Sequence, residues 1–592
     1  MADIHYTLGS KRLGAHIFDV TCEIDKPDPE GQAVSIPAWI PGSYLVRDFA
    51  RHVLSMSARD EHGTPVAVKK IDKSTWRARP CETKLIFEYE VYAHDLSVRG
   101  AHLDTTHGFF NGTSVFLLVH GQDHQPVQVT LNQPDQTTDW RVATTLNRLE
   151  GEAYGFGRFS AQDYDELVDH PVEMGCFQLV EFEACGVPHA MALTGRCSFD
   201  ADRLARDLKK VCETQIRFFG EPAPMDQYLF LTTVLGDGYG GLEHRSSTAL
   251  VCSRADLPQP HHTGVTDNYR QFLGLCSHEY FHTWNVKRIK PAAFSPYTLD
   301  AENYTELLWV FEGITSYYDD LMLVRSGLIT PTSYLRLLEK TVTRVWSTPG
   351  RHRQSLAESS FDAWVKLYKP DDNSVNAGIS YYTKGALLAL TLDMEIRSRS
   401  KGACSLDDVM RAAWERYGIQ GMPEAGFEEL VAEVCDLDLQ SFFDEGVRTT
   451  KDPDLGSAFS YVGISFDLKQ EKKSPKDVPP DKPTLGVRTK LVAGALAVAS
   501  VLEGSAAQEA GVSAGDELVA LDGIRLTTRS YRKLLRSYAV GARVELTCFR
   551  RDELMTFNVK LESTPSTACC LGFDKDASAD VLAQRAAWLD VD

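Results

Sequence analysis

Apolar and polar positions alternate with a period of two over the first ~180 residues. Leu85, Phe87, Tyr89 and Val91 alternate with Ile86, Glu88 and Glu90, which buries one face of a strand. Val115–Val119 and Val127–Leu131 read as further short strands bounded by Gly, Asn, Gln and Pro. No long helical period interrupts them. The pattern predicts an all-β, sandwich-like domain over residues 1–180.

Helical spacing begins near Asp202, where Leu204, Leu208, Val211 and Ile216 form an apolar stripe. A strand, Tyr228–Leu235, runs into the glycine-rich segment GDGYGGLEH. Helices are predicted around Gln271–Val286, Tyr304–Val324 and Tyr381–Arg397. Ser405 with Asp408 three residues on resembles a capping box, and Phe427–Phe443 continues the helical character. Residues 181–455 thus form an α+β domain with a helical tail. Residues 456–484 read as a strand plus a charged, proline-rich linker, DLKQEKKSPKDVPPDKPT. A compact module occupies 485–565. It is predicted to hold strands within Val487–Val501, at Glu517–Leu521, Arg543–Phe549 and Met555–Leu561. Short helices are expected at Ser505–Ala510 and Tyr531–Tyr538, with a turn at Asp522-Gly523. Residues 566–592 carry little pattern and are expected to form a partly disordered tail.

Length, 592 residues, agrees with three or four domains. The net charge of −20 argues against a nucleic-acid partner, whose phosphates demand a basic surface. The longest apolar run, Leu491–Leu502, falls short of the roughly 18–20 residues that span a bilayer. The first residues show no apolar core or small-residue cleavage site, so no secretory signal is expected. Thirteen cysteines, an odd number without a C-x-x-C pair, do not look like a disulfide framework. A cytoplasmic, reducing compartment is expected.

The segment LCSHEYFHTWN changes the picture. His278 and His282 are four apart, so on a helix both imidazoles share one face and can share an ion. Glu279 adjoins the first and can reach a metal-bound water rather than the metal. The next helix carries Glu312 within WVFEG, where an uncompensated buried carboxylate would be expensive. Either a metal ion or a basic partner would remove that cost. His278, His282 and Glu312 would make a His2Glu set with one zinc position open, the arrangement of a catalytic rather than a structural site.

HEYFHTWN followed by WVFEGITSYY resembles the gluzincin metallopeptidases. The upstream GGLEH is similar to the exopeptidase segment of the aminopeptidase N type, and the downstream YYTKG to its Tyr-x-Lys-Gly segment. Together with PAWIPGSYLVRDFARH, YDELVDHPVEMG and a PDZ-like C-terminal module, these resemble the glycyl aminopeptidase family from about residue 1 to 565. The resemblance implies a thermolysin-like catalytic domain holding one Zn2+ per chain through His278, His282 and Glu312. It implies Glu279 as general base, and Tyr382, two residues before Lys384, as the phenol that stabilises the tetrahedral intermediate. It implies Glu243, with Gly240 and Gly241, as the site for a free substrate α-amine, and a preference for small N-terminal residues. Three departures stand out: His244 replaces the family Asn after Glu243, the spacing from His282 to Glu312 is longer than in aminopeptidase N, and Tyr381 adjoins Tyr382.

In this chemistry zinc lowers the pKa of a bound water towards ~7 and Glu279 takes its proton. The expected partners are peptides with a free N-terminus. Other readings of the residues stay open here: Tyr381 and Tyr382 as core aromatics, Gly240-Gly241 as a turn, and His244 as a structurally satisfied histidine. Leu485, Gly486 and Val487 resemble the carboxylate-binding loop of PDZ domains, which would take C-terminal peptides. Tyr461-Val462-Gly463-Ile464 is an alternative loop. The rival functions are a zinc endopeptidase, and a PDZ scaffold with a vestigial metal site.

Overall fold

A computed structural model describes residues 3–135, 137–470 and 482–591. The middle of the predicted linker, 471–481, lies outside them. The chain forms two compact units. The first comprises Met1–Tyr304, Tyr318–Ile329 and Met410–Pro423; the second comprises Thr305–Tyr317, Thr330–Val409 and Glu424–Asp592.

The first unit begins with the expected β structure. Its largest sheet has eight strands, with Val127–Leu131, Ile4–Arg12, Ile17–Ile24, Leu85–Tyr92 and Val53–Asp60 in that order at its centre. The period-two reading of Leu85, Phe87, Tyr89 and Val91 holds, since all four are buried. Ile86 is buried as well, because its side of the sheet is covered there. Two four-stranded sheets complete the β-rich part around one continuous apolar core.

Next in the chain is a mixed five-stranded sheet, in the order Gln178–Ala184, Val187–Thr194, Tyr228–Leu235, Ser247–Ser253, Gly240–Glu243. Its three inner strands run parallel and their side chains are almost wholly buried, as expected of a sheet covered on both faces. The glycine-rich segment GGLE forms its edge, antiparallel to Ser247–Ser253. Helix Ala201–Phe219 is capped by Asp200, whose side chain accepts from Arg203 N. Helix Asp267–Phe281 starts four residues before the predicted Gln271, because Thr266 caps it by accepting from Tyr269 N.

The second unit is helical before its C-terminal module. The predicted helix at Tyr304 begins instead with a π turn, Trp309–Gly313; the α-helix Ile314–Arg325 follows it in the chain, and from Tyr318 on that helix belongs to the first unit. The C-terminal module has the predicted strands, Val487–Val492, Ala495–Val501, Glu517–Leu521, Arg543–Arg550 and Glu553–Lys560, around its own core. Among the described residues no helix is long and apolar enough to cross a membrane.

The last residues differ from expectation. Ala568–Phe573 pairs with Ile464–Lys469, and Ala579–Leu589 is a helix. Only Trp588 and Leu589 of that helix are buried, too few to leave a stripe in the sequence. The Trp588 indole donates to the Tyr317 hydroxyl at 2.8 Å. Trp588→Ala should therefore destabilise the protein by about 3–5 kcal/mol, the usual range for emptying a large aromatic site. Denaturant unfolding monitored by fluorescence checks this; a change under ~1 kcal/mol would mean the tail adds little.

Candidate functional site

Helix Asp267–Phe281 carries the central motif of the first unit. Leu273, Leu275 and Phe281 are buried, as are most residues of this helix, which is covered on nearly every side. Gln215 Nε2 donates to the Ser277 carbonyl at 2.9 Å, and Ser277 Oγ donates to the Asp319 carbonyl at 2.7 Å. These bonds pin the helix beside the segment that holds Asp319.

His278 and His282 stand one turn apart, with ring centroids 4.6 Å apart. His278 Nδ1 lies 3.0 Å from Asp319 Oδ2, and His282 Nδ1 lies 2.6 Å from the Asn285 carbonyl. A carbonyl only accepts, so His282 Nδ1 carries the proton and Nε2 is the acceptor nitrogen of the ring. The Asp319 carboxylate imposes the same tautomer on His278. Burial raises the Asp319 carboxyl, and the hydrogen bond with His278 offsets this only in part. Asn285, Asp319 and Asp320 are equally near in sequence. The structure uses the carboxylate of Asp319 and the backbone, not the amide, of Asn285. Two imidazoles held this way are a donor set that fits zinc.

Glu279 is 5% exposed and Glu243 is 4% exposed. Donor atoms of Glu243, Glu279 and His282 lie within 4.8 Å of one another. Edge strand Gly240–Glu243 thus delivers Glu243 to the helix motif. Glycine at 241 is required there, because a Cβ would fall 1.9 Å from Glu279 Oε1. Arg99 donates to the Gly241 carbonyl at 3.1 Å and holds the strand. From the other side Gly42, at φ +92°, faces the Glu243 carboxylate; a Cβ there would meet Oε1 at 2.6 Å. Glu243 Oε1 is buried with no hydrogen-bond partner among the described residues. A buried carboxylate with an open oxygen is a cation-binding feature.

His244 turns to Asp169, Nδ1 to Oδ1 at 3.1 Å, and Lys287 Nζ approaches the same carboxylate at 2.7 Å. Burial alone would raise Asp169; Lys287, His244 and Arg245 override it and hold the carboxyl well below its ordinary range. His244 thus spends Nδ1 on Asp169, while its Nε2 is buried with no hydrogen-bond partner among the described residues, and the charge network sets the turn after Glu243. Gly42 and Asp169 lie in PAWIPGSYLVRDFARH and YDELVDHPVEMG. Those segments resembled the family, but no local pattern tied them to the site.

In the second unit, Glu312 lies in the π turn and is 2% exposed. Thr315 Oγ1 donates to the Phe311 carbonyl at 2.6 Å across this turn. Gly313 meets Gly385 so closely that a Cβ would lie 2.8 Å from the Gly385 Cα and from the Tyr381 carbonyl. This contact sets YYTKG beside Glu312. The Tyr381 ring is fully buried, and burial, with lesser contributions that include Glu312, raises its phenol well above the ordinary value. Tyr382 is half-buried, and its hydroxyl lies 2.9 Å from that of Tyr368, a partner no sequence signal marked.

In the C-terminal module Gly486, at φ +74°, begins the exposed edge strand Val487–Val492. Leu485 is buried, and its carbonyl accepts from Ala507 N at 2.9 Å. Gly463 of the alternative loop instead meets Arg585 of the C-terminal helix, which donates to its carbonyl at 2.6 Å.

Asp319→Ala should leave His278 free to rotate and lower affinity for a divalent ion about 10–100-fold. Competition with a chromogenic chelator measures this; unchanged affinity would remove Asp319 from the site.

Comparison with known proteins accords with this geometry. Residues 5–176 match the peptidase M61 N-terminal domain, 271–388 the M61 glycyl aminopeptidase and 483–561 a PDZ domain. An aminopeptidase N family protein from Idiomarina loihiensis is 38% identical, with a TM-score of 0.95 over 99% of this chain and 100% of that one. An M1 zinc metallopeptidase from Deinococcus radiodurans is 14% identical, with a TM-score of 0.46 over 76% and 95% of the two chains. No curated protein sequence matches. The chain belongs to the M61 glycyl aminopeptidase family and is a metallopeptidase that carries a PDZ domain.

Proposed function

We propose that this aminopeptidase binds one catalytic zinc ion through His278, His282 and Glu312 and releases small N-terminal residues, Gly or Ala, from peptides. Bound zinc supplies Lewis acidity, which acidifies water and polarises a peptide carbonyl. Glu279 takes the proton of the attacking water and passes it to the leaving amine. Its position beside His278 and against Gly241 suits that role. Tyr382, partnered by Tyr368, donates to the developing oxyanion; the fully buried Tyr381 packs behind it. Such a donor contributes about 2.7–4 kcal/mol to the transition state.

Glu312 is taken as the third ligand because it is a buried carboxylate on the same continuous helix as Asp319. It lies seven positions before Asp319 in the chain. The preference for small residues rests on family membership.

The observation that carries the exopeptidase reading is the open oxygen of Glu243. A terminal ammonium satisfies that buried charge, whereas an internal amide does not. In the PDZ domain we assign Leu485, Gly486 and Val487 to the terminal carboxylate of a peptide that adds beside Val487–Val492.

Hydrolysis of glycyl and alanyl anilides should be lost on chelation, and an N-acetylated peptide should resist cleavage. Efficient cleavage of the blocked peptide would instead indicate an endopeptidase. Glu279→Gln should abolish turnover while the ion stays bound. Glu243→Gln should lower kcat/KM for free N-termini by about 30-fold or more, from roughly 2 kcal/mol upward for a buried charge pair. Equal losses on free and blocked peptides would refute the amine-binding role.

A further inference from the structure

The β-rich part of the first unit holds a second group of ligand-type side chains that peptide hydrolysis does not use. Strands Ala101–Leu103 and His107–Phe110 form an antiparallel pair joined by a tight turn. His102, Asp104 and His107 surround that turn. One donor atom from each lies within 4.8 Å of the others. His102 Nε2 and Asp104 Oδ2 are 3.2 Å apart. Two ligands about 2.1 Å from one tetrahedral ion would be about 3.4 Å apart.

Each donor is held in place. Asp104 Oδ1 accepts from Thr106 N, Thr106 Oγ1 and His107 N at 2.6, 2.6 and 3.1 Å. That leaves Oδ2 for His102 or an ion. His107 Nδ1 lies 3.2 Å from Glu173 Oε1, which also accepts from Thr194 Oγ1 at 2.7 Å. A buried carboxylate on Nδ1 is the arrangement that orients ligating histidines and frees Nε2. It repeats here what Asp319 does for His278.

Space and unmet polarity are also present. A cavity of about 10 Å³ is bordered by His102 and His107 together with Leu231, Thr233 and Leu250. That is room for about one water-sized occupant. His102 is 5% exposed, and its Nδ1 has no partner among the described residues. The rings of His102 and His107 are 4.8 Å apart, and His94 stacks on His102 at 5.6 Å. His94 itself is exposed, so the row of rings reaches from solvent inward.

We propose that His102, Asp104 and His107 form a second metal site, for one divalent transition-metal ion of the zinc type. Two imidazoles and one carboxylate favour such ions over calcium or magnesium. Burial, with His107 nearby, lowers the His102 pKa. For His107 burial acts the same way, but Glu173 overrides it and raises the pKa, so an ion and a proton compete there.

The test counts metal by mass spectrometry after equilibrating the intact protein with micromolar Zn2+ or Co2+ and removing free ion. Wild type should hold two ions per chain. Asp104→Asn, which keeps the oxygen that closes the turn, should hold one and hydrolyse peptides at the wild-type rate. His102→Gln should behave alike, and circular dichroism verifies that both fold. His278→Ala should also hold one ion, but without activity, which separates this site from the catalytic one. A single ion in wild type overturns the proposal. So does a second ion that survives both Asp104→Asn and His102→Gln, or one lost only with His94→Ala, which would place it on the exposed His94 instead.

Discussion

The structure turns on two Nδ1–H groups. An imidazole offers a metal only one lone pair, and it does so only when the other nitrogen is protonated. Asp319 and the Asn285 carbonyl enforce that state on His278 and His282. Much of the first unit serves this constraint. Asn285 stands just past the C-terminus of the motif helix, so the chain must turn back there to present its carbonyl. Asp319 must sit at a fixed height beside the helix, and Ser277 on the Asp319 backbone sets that height. Gln215, on another helix, then braces Ser277.

Charge explains the remaining layout. Glu243 and Glu279 are both buried, and two carboxylates this close repel unless cations lie between or beside them. The chain spends its own cations elsewhere: Lys287 and Arg245 neutralise Asp169. Arg99 goes to a carbonyl instead. Glu243 Oε1 is thereby left without a hydrogen-bond partner among the described residues. The two glycines on either side, Gly42 and Gly241, make the same point sterically, since each leaves out a side chain that would displace a carboxylate.

How much of this was legible in the sequence depended on distance along the chain. The HEYFH helix and Glu243 are local: one comes from four-residue spacing, the other from adjacent glycines before a carboxylate. The alternating strand at Leu85–Tyr92 was equally plain, because period two records burial directly. Asp319 could not be told from Asp320, since only the turn of a helix separates their directions. Gly42 lies 201 positions from Glu243, and a lone glycine carries no sign of what it faces. Tyr368 pairs with Tyr382 through hydroxyls alone, which leaves no periodicity. The C-terminal strand finds its partner about a hundred residues away, so its pairing is invisible to any local window.

The π turn at Trp309–Gly313 shows why an irregularity persists inside a buried helix. A π turn inserts one residue and rotates the upstream chain by about a quarter turn relative to the downstream helix. Thr315 supplies a hydroxyl to the widened backbone, and Gly313 and Gly385 let the two chains touch. Regular α geometry would rotate Leu308 and its predecessors relative to Gly313. The cost of the irregular turn is therefore borne upstream, in a segment tied by Thr305 to Glu424 and by Trp309 to Ser360.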